Sequence, residues 1–210
     1  MADNDMRRRV KDQLPTVLLT MLSIVQALAL ELLWDHLTHT PGLSALTFET
    51  LLAWLQISAT FVGVLLVWLI YASTVMRFRW VPTNGDLVFP LFVGMLEFLL
   101  VELLGVALLG PWLITFALVF GLMTWSSQAT YRRARQDSDN AAFFANTPRA
   151  TFKDFIWSGA VVVVLAALGL ALWLSGHTGW FAAVSVAAVL SVLLYQLYLS
   201  AVFWRRSVFD

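Results

Sequence analysis

Six runs of about 20 mainly apolar residues, at 14–34, 50–74, 87–108, 111–131, 154–175 and 180–204, constrain this chain more than anything else in it. As a helix, each is long enough to cross a hydrocarbon core of roughly 30 Å. A charged fraction of 12% and a mean hydropathy of +0.80 agree with that reading. The expected fold is therefore all-α, a polytopic membrane protein with six transmembrane helices arranged as three helical hairpins. The first run follows "MADNDMRRRVKDQ", which resembles the charged start of a signal peptide. It is too long for the apolar region of one and lacks a small-residue cleavage site, so it is read as helix one.

The basic residues give the orientation. All thirteen Lys and Arg fall on one side of the six-span scheme: Arg7, Arg8, Arg9 and Lys11; Arg77 and Arg79; Arg132, Arg133, Arg135, Arg149 and Lys153; Arg205 and Arg206. The positive-inside rule then places both termini in the cytoplasm and suggests a bacterial inner (plasma) membrane. The opposite face holds Asp35, Glu49 and the three histidines. The domain scheme is a cytoplasmic N-terminal segment 1–13, a six-helix domain 14–206 with a cytoplasmic loop at about 132–153, and a tail at 207–210. The ten tryptophans divide evenly: Trp34, Trp54, Trp112, Trp173 and Trp180 near the outer boundary, Trp68, Trp80, Trp125, Trp157 and Trp204 near the inner one. Indoles prefer the headgroup level, so all are expected to be interfacial anchors.

The polar loop "YRRARQDSDNAAFFANTPRATFKDF" reads as a solvated connector, with "TPRATFKDF" a short amphipathic helix at the headgroups. The hairpins show traces of a parallel repeat. Even spans end in "YASTVMRFRW", "SQATYRRARQ" and "YLSAVFWRRS", and "QALALELLW" aligns with "EFLLVELLG", setting Gln26 against Glu97 and Glu31 against Glu102.

Polar residues inside the spans carry the functional expectation. On helix one Thr16, Thr20, Ser23, Ala27 and Glu31 share one face; Gln56, Thr60, Gly63, Tyr71 and Thr74 do so on helix two, and Ala117, Gly121, Thr124, Gln128 and Tyr131 on helix four. These faces are expected to point at one another, with Gly63, Gly94, Gly105 and Gly121 at helix contacts. Glu97 lies near the midplane of helix three, where a charged carboxylate costs on the order of 2.5–3.5 kcal/mol on insertion scales. It must be protonated, paired or wet, and with no Lys or Arg expected inside the membrane its expected partners are Gln56, hydroxyls, water or a bound cation. Glu31, Glu97 and Glu102, with Gln26 and Gln56, are the candidate proton- or cation-binding residues; the bland alternative is structural glue.

Glu31, Asp35, His36 and His39 at the outer cap carry donors that suit a metal, but their spacing is not diagnostic, and the metal question stays open. His36, His39 and His177 are candidate pH sensors. The absence of cysteine excludes disulfides and thiolate chemistry. No phosphate-binding glycine loop, nucleophile elbow or H-E-x-x-H stretch appears, so neither an enzyme nor a resident cofactor is expected. Topology accounts for the basic residues, which disfavours nucleic acid as a partner. Acid-bearing odd spans suggest the small six-helix potassium channels of lysosomal and bacterial type, but their phenylalanine-serine-aspartate signature is missing from "TVLLTMLSIVQ", so no family is assigned.

Two functions stay open. The first is a small channel or transporter, for which a homo-oligomer is the candidate assembly, passing protons or monovalent cations along the polar faces. The second is a non-catalytic accessory or assembly subunit that docks a membrane-protein partner. The lipid bilayer is the common partner of both.

Overall fold

A computed structural model describes residues 2–145, 147, 149, 151–176 and 179–209. Among these residues seven α-helices follow one another: α1 (Ala2–His39), α2 (Phe48–Arg77), α3 (Asn84–Glu102), α4 (Leu109–Gln136), α5 (Ala141–Ala145), α6 (Phe152–Ser175) and α7 (Trp180–Phe209). Short 3-10 turns precede α4 (Val106–Leu108) and α5 (Ser138–Asn140). All but α5 are long and apolar enough to cross a membrane, and there is no strand among the described residues.

α1 packs on α2 and α3, α3 on α4, α4 on α6 and α2 on α7, while α6 and α7 touch each other only marginally. The last two spans therefore sit on opposite flanks of the α2–α4 core and leave space between them.

Helix α1 reverses the expected face. Leu14, Leu18, Leu22, Val25, Ala29 and Leu33, at helical spacing, are buried, whereas Thr16, Thr20, Ser23, Ala27 and Glu31 are all exposed. In lipid a leucine gains nothing by leaving its surroundings, so shape complementarity and hydrogen bonds decide which face is used. Val25 fits over Gly94 of α3, where a Cβ would collide with its side chain. Gln26 finds acceptors inside. The polar faces of α2 and α4 do turn inward, with Gln56, Thr60, Gly63 and Ala117 buried.

The third span is shorter than expected at its far end. α3 stops at Glu102, and the chain turns through Gly105, whose φ of 137° is a conformation that side chains rarely adopt. Gln56 repairs the break: its Nε2 donates to Leu103 O (3.2 Å), and its Oε1 accepts from Gly105 N (3.0 Å). Backbone groups freed at membrane depth need such partners. Gly105 is thus a turn residue with nothing within 4 Å of an added Cβ, not the helix contact expected.

Gly63 meets Phe116 and Gly121 approaches Val162, as a helix contact requires. A backbone-to-backbone crossing joins α4 and α6: a Cβ on Gly110 would lie 2.8 Å from Gly169 O, and one on Gly169 2.8 Å from Gly110 O, at two glycines not among the expected contacts.

Two tryptophans are core residues, not belt anchors. Trp112 is 0% exposed and Trp80 2%. Their N–H groups donate to Thr60 Oγ1 and Asp86 Oδ2, which makes burial tolerable. The basic end is also more ordered than a solvated connector. Lys11 pairs with Asp137 and Asp139, Arg79 with Asp12, and Arg133 with Asp86; Asn140 bonds both backbone groups of Arg79. Of the expected headgroup helix 147–155, residues 152–155 are the start of α6, Thr147, Arg149 and Thr151 are not helical, and Pro148 and Ala150 lie outside the described residues.

Candidate functional site

The interior polar groups form two small sets. Gln26 Nε2 of α1 donates to Glu97 Oε1 of α3 (2.9 Å) and to Val64 O of α2 (3.1 Å), joining three helices. Glu97 is 1% exposed, and its Oε2 has no hydrogen-bond partner. Beside this set, Trp112 Nε1 donates to Thr60 Oγ1 (3.1 Å), and the Thr60 hydroxyl donates to Gln56 O (2.9 Å).

Of the sequence-predicted residues, the structure brings Gln26 and Glu97 together and puts Gln56 to work on the backbone break. Glu31 and Glu102 are exposed, so the three acids do not form one buried cluster. The expected clustering rested on the polar face of α1 turning inward, which it does not. His36 is half-buried; His39, exposed, lies 3.0 Å from Asp35 Oδ1. His177 falls outside the described residues. Among those described, no three His, Asp or Glu converge on a point that would hold a metal ion.

A cavity of about 1410 Å³ opens between α2, α4, α6 and α7, where the two last spans stand apart. That exceeds the roughly 300–1,000 Å³ of a drug-sized ligand site. Its floor is apolar, formed by Gly63, Val67, Phe116, Val119 and Phe120. Gly63 lets the Phe116 ring lie against α2 at this floor, since a Cβ there would sit 2.8 Å from the ring. Further along, Thr124, Ser127, Gln128 and Tyr131 of α4 face Ser158 of α6 and Gln196 of α7. At the basic end Arg132, Arg135 and Arg149 line the mouth, with Phe143 and Phe144 of α5 beside them. From Phe116 to Arg132 the wall runs sixteen residues along α4, about 24 Å.

Sequence reasoning found Thr124, Gln128 and Tyr131 as an inward face but not the cavity they line. The signal available was weak: the polar stretch of α4 continues into the arginines of its own last turns, so one wall changes from apolar to cationic along its length. That α6 and α7 separate could not be read from either helix alone.

Glu97 lines neither this cavity nor the small crevice between Tyr71, Trp80 and Thr130. Its surroundings are a helix contact, closed by Val25 over Gly94 one turn away. Comparison with protein-family models, curated proteins and solved structures finds no match for this chain.

Proposed function

We propose that the protein is a small multi-pass carrier that takes an amphipathic solute into the cleft between α2, α4, α6 and α7 from the cytoplasmic side. The carrying observation is the cleft itself, apolar at its floor and polar at its mouth, on the side to which the basic residues assign the cytoplasm. Transport remains the class of function, but the carboxylates are no longer its centre. A proton or cation route would need Glu97 to face a wet passage, and the cavity runs elsewhere.

The chain has no cysteine, which makes a direct test possible. Single cysteines at Ser158 and Gln196, reconstituted in vesicles with the basic end outward, should react with a water-soluble maleimide. An added long-chain amphiphile should protect them, and cysteines at the lipid-facing Val163 and Leu194 should gain no protection. Unreactive or unprotected Ser158→Cys and Gln196→Cys would remove this reading.

One observation favours the accessory-subunit reading. The outward face of α1, with Thr16, Thr20, Ser23, Ala27 and Glu31 exposed, is the kind of small and polar surface that membrane helices use against each other. That reading gains if cross-links from Ser23→Cys capture a second helix in native membranes.

A further inference from the structure

Resting on the carrier reading, we infer that the cleft is built for an anionic amphiphile, with one acyl chain along the α4 wall and a phosphate or carboxylate headgroup among the arginines of the mouth. Three features converge on this class.

The first is charge. Arg132, Arg135 and Arg149 line the mouth, and no Asp or Glu is among the described lining residues. The acids nearest in sequence are engaged elsewhere, Asp137 and Asp139 with Lys11 and Asp86 with Arg133. Topology alone would explain arginines at this end. It does not explain why Arg79 and Arg133, paired with Asp12 and Asp86, are off the cavity while Arg132 and Arg149, which have no carboxylate partner among the described residues, line it.

The second is Arg77. Its guanidinium carbon stands 4.2 Å from the Phe203 ring centroid and 5.4 Å from that of Phe143, both rings being part of the cavity wall. Its Nη1 and Nη2 are buried with no hydrogen-bond partner. Arg77 is not itself on the lining; it sets a buried positive charge against two rings of the wall, which favours an anion at the mouth without touching it.

The third is access and length. α6 and α7 make only marginal contact, so the cleft is not sealed from the bilayer plane by a helix pair. The wall from Phe116 to Arg132, about 24 Å, exceeds the roughly 15 Å of one leaflet's hydrocarbon, so a chain entering from the inner leaflet keeps its headgroup at the rim. An ordinary inner-leaflet lipid or a free fatty acid has this chemistry.

The test is native mass spectrometry of the full chain in a non-ionic detergent, titrated with dioleoyl phosphatidylglycerol, dioleoyl phosphatidylcholine, oleate or inorganic phosphate. Either anionic amphiphile should be retained at least about tenfold more tightly than the zwitterionic lipid, and inorganic phosphate alone should not be retained. The double variant Arg132→Gln, Arg149→Gln should lose that preference, and Arg132→Lys, Arg149→Lys should keep most of it. An unchanged melting temperature for both variants would show that the fold is intact; if the glutamine variant melts early, single substitutions at the exposed Arg132 and Arg149 replace it. Equal retention of anionic and zwitterionic lipid, unaffected by the glutamine variant, would overturn the headgroup assignment and leave the carrier reading standing. Retention of no amphiphile would sink both. Retention of phosphate as strong as that of phosphatidylglycerol would mean a small-anion site and overturn the amphiphile.

Discussion

Removing Gln26 and Glu97 singly and together separates a structural contact from a relay. Gln26→Leu deletes the bonds to Glu97 Oε1 and Val64 O and leaves Glu97, already lacking a partner at Oε2, with neither oxygen satisfied. A buried unsatisfied polar group costs about 1–3 kcal/mol, so this variant should lose about 2 kcal/mol. Glu97→Leu is milder, about 1 kcal/mol, because the Gln26 amide keeps Val64 O. Removing both partners leaves no orphan, so the double variant should lose about 1.5 kcal/mol instead of the additive 3 or so. The resulting coupling, about 1.5 kcal/mol, lies within the range of up to about 1.7 measured between membrane helices. Reversible unfolding of the reconstituted protein by titration with a denaturing detergent would measure all four forms. Additivity to within about 0.5 kcal/mol would refute the argument. The isosteric Glu97→Gln should keep full stability, and in liposomes with an imposed proton or potassium gradient it should leak no less than the wild type. A wild-type flux that this variant abolishes would restore the relay.

Gly94→Ala should cost about 1–3 kcal/mol by overpacking against Val25, and Val25→Ala added to it should return most of that loss in the same titration. Gly169→Ala has no such rescue, because its Cβ would meet the Gly110 carbonyl and Ile114 N; the protein should unfold at lower detergent and disulfide trapping between α4 and α6 should weaken. Trp112→Phe leaves Thr60 without its indole donor and should cost about 0.5–1.5 kcal/mol, with Thr60→Val adding little on top. A reporter fused after Asp210 should behave as cytoplasmic, and periplasmic activity there would reverse the orientation.

Much of the architecture was legible because lipid imposes simple demands on a linear chain. Six apolar runs of spanning length and one-sided basic residues are local properties, and the helices lie where those runs were drawn to within a few residues at most ends. Glu97 was legible as a midplane group that must find a partner; that its partner is Gln26, and not the Gln56 expected, was not. What could not be read was which surface of α1 meets its neighbours, although the faces of α2 and α4 could. The stripe from Thr16 to Glu31 looks like an interface on a wheel, yet the Leu14 to Leu33 ridge packs instead. Trp112 and Trp80 have the composition of belt residues and became core because Thr60 and Asp86 stand within reach of their N–H groups. The end of α3 at Glu102 rests on a glutamine of a different helix. In water the hydrophobic effect marks the buried face in the sequence; in a bilayer both faces are apolar, and only the fit of Val25 over Gly94, or of Gly110 on Gly169, chooses between them. The cleft is the extreme case, an absence of contact between α6 and α7 that no residue of either helix encodes alone.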